Sequence, residues 1–375
     1  MFRYFTAGES HGKSLVGIIE GFPSNVPIDV EIINHDLKRR QSGYGRGGRM
    51  KIESDRIEIL SGIRDSKTLG SPIAFTIPNK DYENWEKYMD PLKVLDCGKR
   101  VTKPRPGHAD LTGALKYGFD DIRNTLERSS ARETAVRVAI GSMVKQLVSN
   151  FNIKAMSHVL SVGDIIPEKV NDINSIKNAD NSPVRCVNEK KEMEIIKAID
   201  KAKEDGDSLG GVFEIYITGL PPGLGSYVHW DKKLDGKLAQ ALMSIQGIKA
   251  VEIGEGIEAS TLPGSKFHDE IFYSPEKGYY RETNMAGGIE GGMSNGENII
   301  VRCHMKPIPT LYRPLRSVDI ETKEGFVADI ERSDTCAVPA ASIVGEMVAI
   351  TVVGQELLRK YGGDSLGEIL ERWKK

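Results

Sequence analysis

Ala340-Ala341-Ser342-Ile343-Val344-Gly345-Glu346-Met347-Val348-Ala349-Ile350-Thr351-Val352-Val353 is the most apolar stretch in the later part of the chain. Gly345 and Glu346 interrupt it and it is too short for a bilayer, so it reads as a buried core helix inside a helical segment from Ala341 to Leu358. Two further helices lie upstream. From about Ala131 to Val148, the residues Val136, Ile140, Met143, Val144, Leu147 and Val148 share one face, which should be core. Leu234, Leu238, Leu242 and Ile245 recur at helical spacing and stop near Gly247. Strand-like runs rich in β-branched and aromatic residues fall at Leu15 to Glu20, Arg56 to Leu60, Ile73 to Ile77, Val212 to Thr218 and Asn298 to His304. Asn188 to Gly206 reads as an amphipathic surface helix with Met193, Ile196 and Ile199 inward. Asn171 to Pro183, rich in Asn, Asp and Ser, is the best loop candidate. Length alone permits one large domain or two, but no repeat or low-complexity linker divides the chain, so the expectation is a single α+β domain over residues 1–375.

Hydrophobic residues at 39% and charged residues at 28% belong to a folded soluble protein. A net charge of −2 gives no global attraction to nucleic acid or anionic membrane, so an anionic ligand has to be held by a local basic cluster. Cys97, Cys186, Cys303 and Cys336 are far apart and form no Cys-x-x-Cys pair, which argues against a disulfide framework or a structural zinc and for a reducing cytoplasm. The start, Met1 to Gly8, offers no apolar signal segment, and no membrane span is expected.

Gly8-Glu9-Ser10-His11-Gly12-Lys13-Ser14 misses the phosphate-binding P-loop pattern by one residue: three residues, not four, separate Gly8 from Gly12-Lys13. A strand-end turn is one reading. The other is a histidine placed to protonate a departing phosphate. Arg39, Arg40, Arg46 and Arg49 lie in or beside a glycine-rich run in which several guanidinium groups could converge on carboxylate or phosphate oxygens. Ser130 and Glu133 have capping-box spacing, which puts Arg128, Ser129 and Ser130 at a helix N-terminus favourable to an anion, flanked by Arg132. Arg105-Pro106-Gly107-His108-Ala109-Asp110 sets a second histidine after a stiff turn. Downstream come the glycine-dense loop Asn284 to Gly296, the rigid basic run Lys306-Pro307-Ile308-Pro309-Thr310, and Arg332-Ser333-Asp334. His35, His158, His229, His268 and His304 lack metal-ligand spacing, and no metal is expected.

The segments at Gly8 to Gly12, Arg105 to Asp110 and Arg128 to Thr134 closely resemble those of chorismate synthase, and its motifs appear in order from residue 8 to about residue 345. The resemblance implies a β-α-β sandwich with helices between sheets, assembled as a homotetramer. It implies a lyase that converts 5-enolpyruvylshikimate 3-phosphate to chorismate by anti 1,4-elimination of phosphate and a ring hydrogen, with reduced FMN as cofactor. His11 then matches the histidine that protonates the leaving phosphate, and His108 the one that protonates or hydrogen-bonds the reduced flavin. Asp334, with Ser129 or Ser130, matches the group that relays the proton from the flavin. Ser10, Arg40, Arg46, Arg49, Arg105 and Arg132 would hold the substrate. Arg128, Ser129, Ser130, Gln246, Gly247, Gly291, Lys306, Pro307, Ile308, Pro309, Thr310 and Arg332 would hold FMN. The chain's length is similar to family members supplied with flavin by an external reductant, while reduction by NADPH on the chain itself stays open.

Two rivals remain on the residues alone. One is a phosphotransferase or NTPase built on the Gly8 to Ser14 loop; the other is an RNA-binding module built on Arg40 to Arg49, against which the absence of a broad basic footprint counts.

Overall fold

Alternation of apolar and polar side chains builds two antiparallel sheets. The first contains β1 (Arg3–Ala7), β2 (Ser14–Glu20), β3 (Glu58–Ser61) and β4 (Ile73–Pro78) in the order β1-β2-β4-β3. Leu15 lies opposite Ile77 and Ile19 opposite Ile73, all buried on the inner face. The second contains β5 (Lys154–Val162), β6 (Gly211–Thr218), β7 (Ile248–Ile253) and β8 (Ile299–Met305) in the order β5-β6-β8-β7. The structure, a computed structural model, describes residues 2–47, 54–95, 98–166, 170, 173–313, 315–327 and 333–374.

The principal helices are α1 (Val30–Gln41), α2 (Asp110–Tyr117), α3 (Arg123–Ser129), α4 (Thr134–Ser149), α5 (Glu189–Glu204), α6 (Leu234–Met243) and α7 (Val338–Tyr361). α7 packs against α1, α4 and α6 and against β5 and β6, while α4 also meets β2. α4 and α7 therefore lie between the two sheets, the expected β-α-β sandwich of an α+β protein. Close approach explains the glycines in this layer. A Cβ on Gly141 of α4 would sit 2.4 Å from the carbonyl oxygen of Met347, and one on Gly345 would sit 2.5 Å from the Phe213 ring.

α7 is longer than its apolar segment suggested. At 24 residues it is long and apolar enough to cross a bilayer, so length does not exclude a span; its burial does, because 94% of its most apolar window lies inside the protein. Glu346, the charge that interrupts the segment, is 1% exposed. It receives both Nη atoms of Arg39 at 3.0 and 3.1 Å and the Ser157 hydroxyl at 2.9 Å. Burial pushes the Glu346 carboxyl up, but the charge and hydrogen bonds of Arg39, helped by Lys145 and Arg185, outweigh it and the net shift is downward.

Three local expectations need correction. The inward face of α5 carries Ile195, Ile199 and Ala202; Met193 is exposed and Ile196 lies at the border, because the stripe advances by four and three residues from Ile195. The segment expected to be a loop holds a short helix, Ile173–Lys177, followed by a single 3-10 turn over Asn178–Asn181, with Ile176 and Ala179 buried. The capping box is half formed. Ser130 accepts from the Arg132 N–H and starts a short 3-10 turn, Ala131–Glu133, whereas Glu133 reaches Thr6 and Arg137 because β1 runs beside it.

Candidate active site

The loop from Gly8 to Lys13 joins β1 to β2 as a hairpin in which Ala7 pairs with Val16. Gly8 adopts φ +101° and a Cβ there would meet the Ser14 carbonyl oxygen at 2.5 Å, so only glycine fits the turn. A P-loop leads from a strand into a helix. This loop leads from a strand into a strand, which removes the structural basis of the phosphotransferase reading. Asn79 clamps the loop by donating to the Gly12 carbonyl at 2.7 Å and the Glu9 carbonyl at 3.2 Å. The far side docks on α3, where the His11 N–H donates to Glu127 Oε2 at 2.8 Å and His11 Nδ1 lies 2.9 Å from Glu127 Oε1. Burial raises the Glu127 carboxyl; the hydrogen bonds and charge of His11, with Arg123 beside it, more than offset this and hold it below its ordinary value.

The last turn of α1 sends Arg39 and Arg40 in different directions. Arg39 turns into the helix layer toward Asp36, Asp180 and Glu346, so it does not join the convergent group. Arg40 is 5% exposed and donates to Thr134 Oγ1 and the Ala131 carbonyl, both at 3.0 Å. Asp55 lies between Arg40, at 3.5 Å, and Arg132, at 2.7 Å. Burial pushes the Arg40 pKa down to about 10; Asp55 opposes this, while Arg132 and Arg46 add to it. Arg46 pairs with Asp334 at 2.6 Å, and the Gly47 N–H donates to the other carboxylate oxygen at 2.6 Å. With Arg40 buried and the part-buried Arg46 paired to Asp334, the two do not form the exposed basic arm an RNA-binding module needs.

The second histidine sits where the Arg105 turn meets α2. Arg105 is held by Asp110 through Nε at 2.8 Å and Nη2 at 3.2 Å. His108 Nδ1 lies 3.2 Å from the Pro106 carbonyl, which can only accept, so Nδ1 carries the hydrogen and Nε2 accepts from the Thr310 hydroxyl at 3.1 Å. Burial and the charge of Arg105 lower the His108 pKa below 6.5, leaving the ring neutral at neutral pH.

These groups face one cavity of about 520 Å³. Its cationic and polar lining includes Ser10, His11, Arg40, Arg46, Arg105, His108, Arg132 and Asp334. Its apolar lining includes Ile245, Met305, Pro307, Ile308, Pro309, Ala337, Ala340, Ala341 and Val344. Ser129, Ser130, Gln246, Gly247, Lys306 and Thr310 also line it. Two expected residues do not. Arg128 is turned back to the Thr6 and Gly8 carbonyls, and Gly291 lies in the tight turn of the hairpin formed by Ile289–Glu290 and Met293–Ser294. Arg49 and Arg332 lie outside the described residues. Glu127, Asp55, Asn79 and Trp85, which hold the histidine and the arginines, went unread in the sequence. The helical spacing of Arg123 and Glu127, which form an ion pair at 3.1 Å, was the one local signal for any of them.

Arginines converging on a half-apolar cavity beside two histidines define an enzyme that works on a small polyanionic molecule. The chain belongs to the chorismate synthase family, lyases whose reaction is the last step of the shikimate pathway; the family model, chorismate synthase, matches residues 2–358. The chain is 68% identical over 375 residues to the chorismate synthase of Alkaliphilus metalliredigens (strain QYMF), spanning 100% of this chain and 99% of that one. It is 54% identical over 376 residues to that of Caldicellulosiruptor saccharolyticus, with 100% and 99% covered. A crystal structure of chorismate synthase superposes with a TM-score of 0.81 at 43% identity, covering 100% of this chain and 96% of that one.

Proposed function

We propose that this cavity converts 5-enolpyruvylshikimate 3-phosphate to chorismate and phosphate by anti 1,4-elimination, with reduced FMN bound beside the substrate. The convergence of Arg40, Arg46, Arg105 and Arg132 with His11 and His108 on one cavity carries the reading. The substrate's phosphate and carboxylates suit those cationic lining residues, where charge-assisted hydrogen bonds are worth about 1.5–3 kcal/mol each. Ser10 and Arg49 complete the proposed substrate set.

The residues present also fit the flavin. Gln246 Oε1 is buried on the cavity wall with no hydrogen-bond partner among the described residues, an acceptor awaiting a donor such as a ring N–H. Beside it the run Pro307 to Pro309 and the face Ala337 to Val344 offer an apolar bed for a planar ring. Ser129, Ser130, Gln246, Gly247 and Lys306 to Thr310 would hold the cofactor, with Arg332. Arg128 and Gly291 lie off the cavity of their own chain, so a cofactor role for them requires a second copy. Assembly as a homotetramer fits that requirement and the exposed apolar residues Phe5, Ile18 and Leu60 of the first sheet.

When bound, reduced FMN supplies transient electron density to the substrate ring, which leaves the reaction redox-neutral. His11 delivers a proton to the departing phosphate. His108, neutral and with its Nδ1–H given to the Pro106 carbonyl, would serve the flavin as a hydrogen-bond acceptor through Nε2, in place of the Thr310 hydroxyl, and not as an acid. Asp334, fixed by Arg46 and the Gly47 N–H, takes up with Ser130 the proton that the substrate ring gives up. The reading includes a single domain, a cytoplasmic setting and an external source of reduced flavin, with reduction by NADPH on the chain itself as the alternative. An anaerobic assay with dithionite-reduced FMN and enolpyruvylshikimate phosphate, following chorismate absorbance, tests it. Turnover is expected only with the reduced flavin; undiminished turnover in air without reductant, or none under any reducing condition, overturns it.

A further inference from the structure

His11 is held on three sides. Its Nδ1 lies 2.9 and 3.0 Å from the two oxygens of Glu127, and its own backbone N–H donates to the same carboxylate at 2.8 Å. Its ring stacks on Trp85 with centroids 3.9 Å apart and planes inclined by 26°. The Arg123 guanidinium lies 4.9 Å from the centre of that indole and donates to Glu127 Oε1 at 3.1 Å. The Glu127 side chain is 1% exposed, whereas that of His11 is 15% exposed and lines the cavity.

We infer that Glu127 is a positioning residue for the proposed proton transfer: it holds His11 in the Nδ1–H form, stabilises its imidazolium, and leaves Nε2 to face the phosphate site. The step rests on chemistry of one kind. A carboxylate accepts and cannot donate, so the neutral ring has to place its hydrogen on Nδ1, and the nitrogen across the ring is left with its lone pair. Protonation at Nε2 then produces a cation directly against a buried anion, which Glu127 favours because it remains ionised. Trp85 covers a face of the ring and prevents it from tilting away from the carboxylate. Arg123 keeps Glu127 in place from the other side without touching His11, so the carboxylate is shared between a permanent cation and a titrating one. Transfer of the Nε2 proton to a phosphate oxygen breaks one N–H bond and forms one O–H bond, and the ring returns to its neutral Nδ1–H form.

This inference rests on the proposed role of His11, and its test separates the two. The full chain, labelled with ¹⁵N at histidine and assigned through His11→Gln, gives the His11 ring shifts across pH without any turnover. The wild-type neutral ring is expected in the Nδ1–H form; an Nε2–H form overturns the inference and needs no variant. In Glu127→Gln, which keeps the shape and an acceptor but removes the charge, the His11 ring shifts should lose the Nδ1–H preference expected of the wild type. With reduced FMN, kcat should fall about 10- to 100-fold, while KM stays within about twofold. The alkaline limb of the kcat profile should move toward acid. A Glu127→Gln enzyme with a wild-type pH profile and kcat overturns the positioning role. Wild-type protein that shows the expected ring tautomer but no turnover on the shikimate substrate overturns the reaction assigned above, and leaves the inference about the ring standing.

Discussion

Replacing Asp55 with asparagine should destabilise the protein by about 3–5 kcal/mol, the cost of stripping the anion from a buried ion pair. Asp55 is 4% exposed and serves two guanidiniums, Arg132 at 2.7 Å and Arg40 at 3.5 Å. At an effective dielectric near 20, a pair of unit charges about 4 Å apart interacts by about 4 kcal/mol. Two such attractions disappear together, and the repulsion between Arg40 and Arg132 is left uncompensated. The wild-type cavity already carries an excess of positive charge. Burial is the main reason the Arg40 pKa is pushed down to about 10, and the neighbouring charges of Arg132 and Arg46 add to it. An anion in the cavity relieves that excess, so inorganic phosphate should stabilise the wild type and should stabilise Asp55→Asn more. A ligand present at about 100 times its Kd adds about 2.7 kcal/mol. Urea unfolding followed by circular dichroism, with and without phosphate, reads both effects as midpoint shifts at constant slope. A loss below about 1 kcal/mol, or a phosphate effect no larger in the variant, would refute the electrostatic account.

A Gly141→Ala chain should be less stable by about 1–3 kcal/mol, more than the roughly 1 kcal/mol that alanine adds by helix propensity, because the obstacle 2.4 Å away is the Met347 backbone and cannot rotate aside; a raised urea midpoint would contradict this. Glu346→Gln should cost about 3 kcal/mol by leaving Arg39 and Arg185 short of their shared anion inside the helix layer, and a neutral effect in the same assay would show that the pair is not desolvated. His108 has a folded pKa below 6.5, so above that value neither folded nor unfolded chain holds its proton and stability is unaffected. As pH falls through 6.5 the unfolded chain takes up the proton first, and stability is lost until the folded pKa is passed. His108→Asn should therefore flatten the acid slope of the urea midpoint relative to wild type; parallel slopes would exclude the assignment.

What was legible in the sequence followed from local pattern. The apolar run within α7 announces itself because that helix is buried on all sides, and strands β2 and β4 because their burial alternates; α4 was read from one apolar face although the structure buries it nearly all round. β1 was missed because its side chains alternate between exposed and half-buried positions, so its sequence carries no apolar face. Phase on a surface helix was misjudged where Ile195 and Ile196 are adjacent: both are apolar, and packing against the core selects Ile195. The site divides in the same way. Its arginines and histidines stand among glycine, proline and serine in short runs, and such runs can be recognised without knowing what they meet. Their anions cannot. Glu127 meets His11 across 116 positions, Asp55 meets Arg132 across 77, and Asn79 meets Arg132 across 53. Each is an ordinary polar residue whose importance arises when the hairpin, α3 and the start of α4 are brought to one cavity. A count of basic residues therefore overstates what the cavity can hold: Asp55, Asp110 and Asp334 already claim part of that charge. The capacity left for a ligand is the difference between two nearly equal sets, one readable from local sequence and the other set by topology.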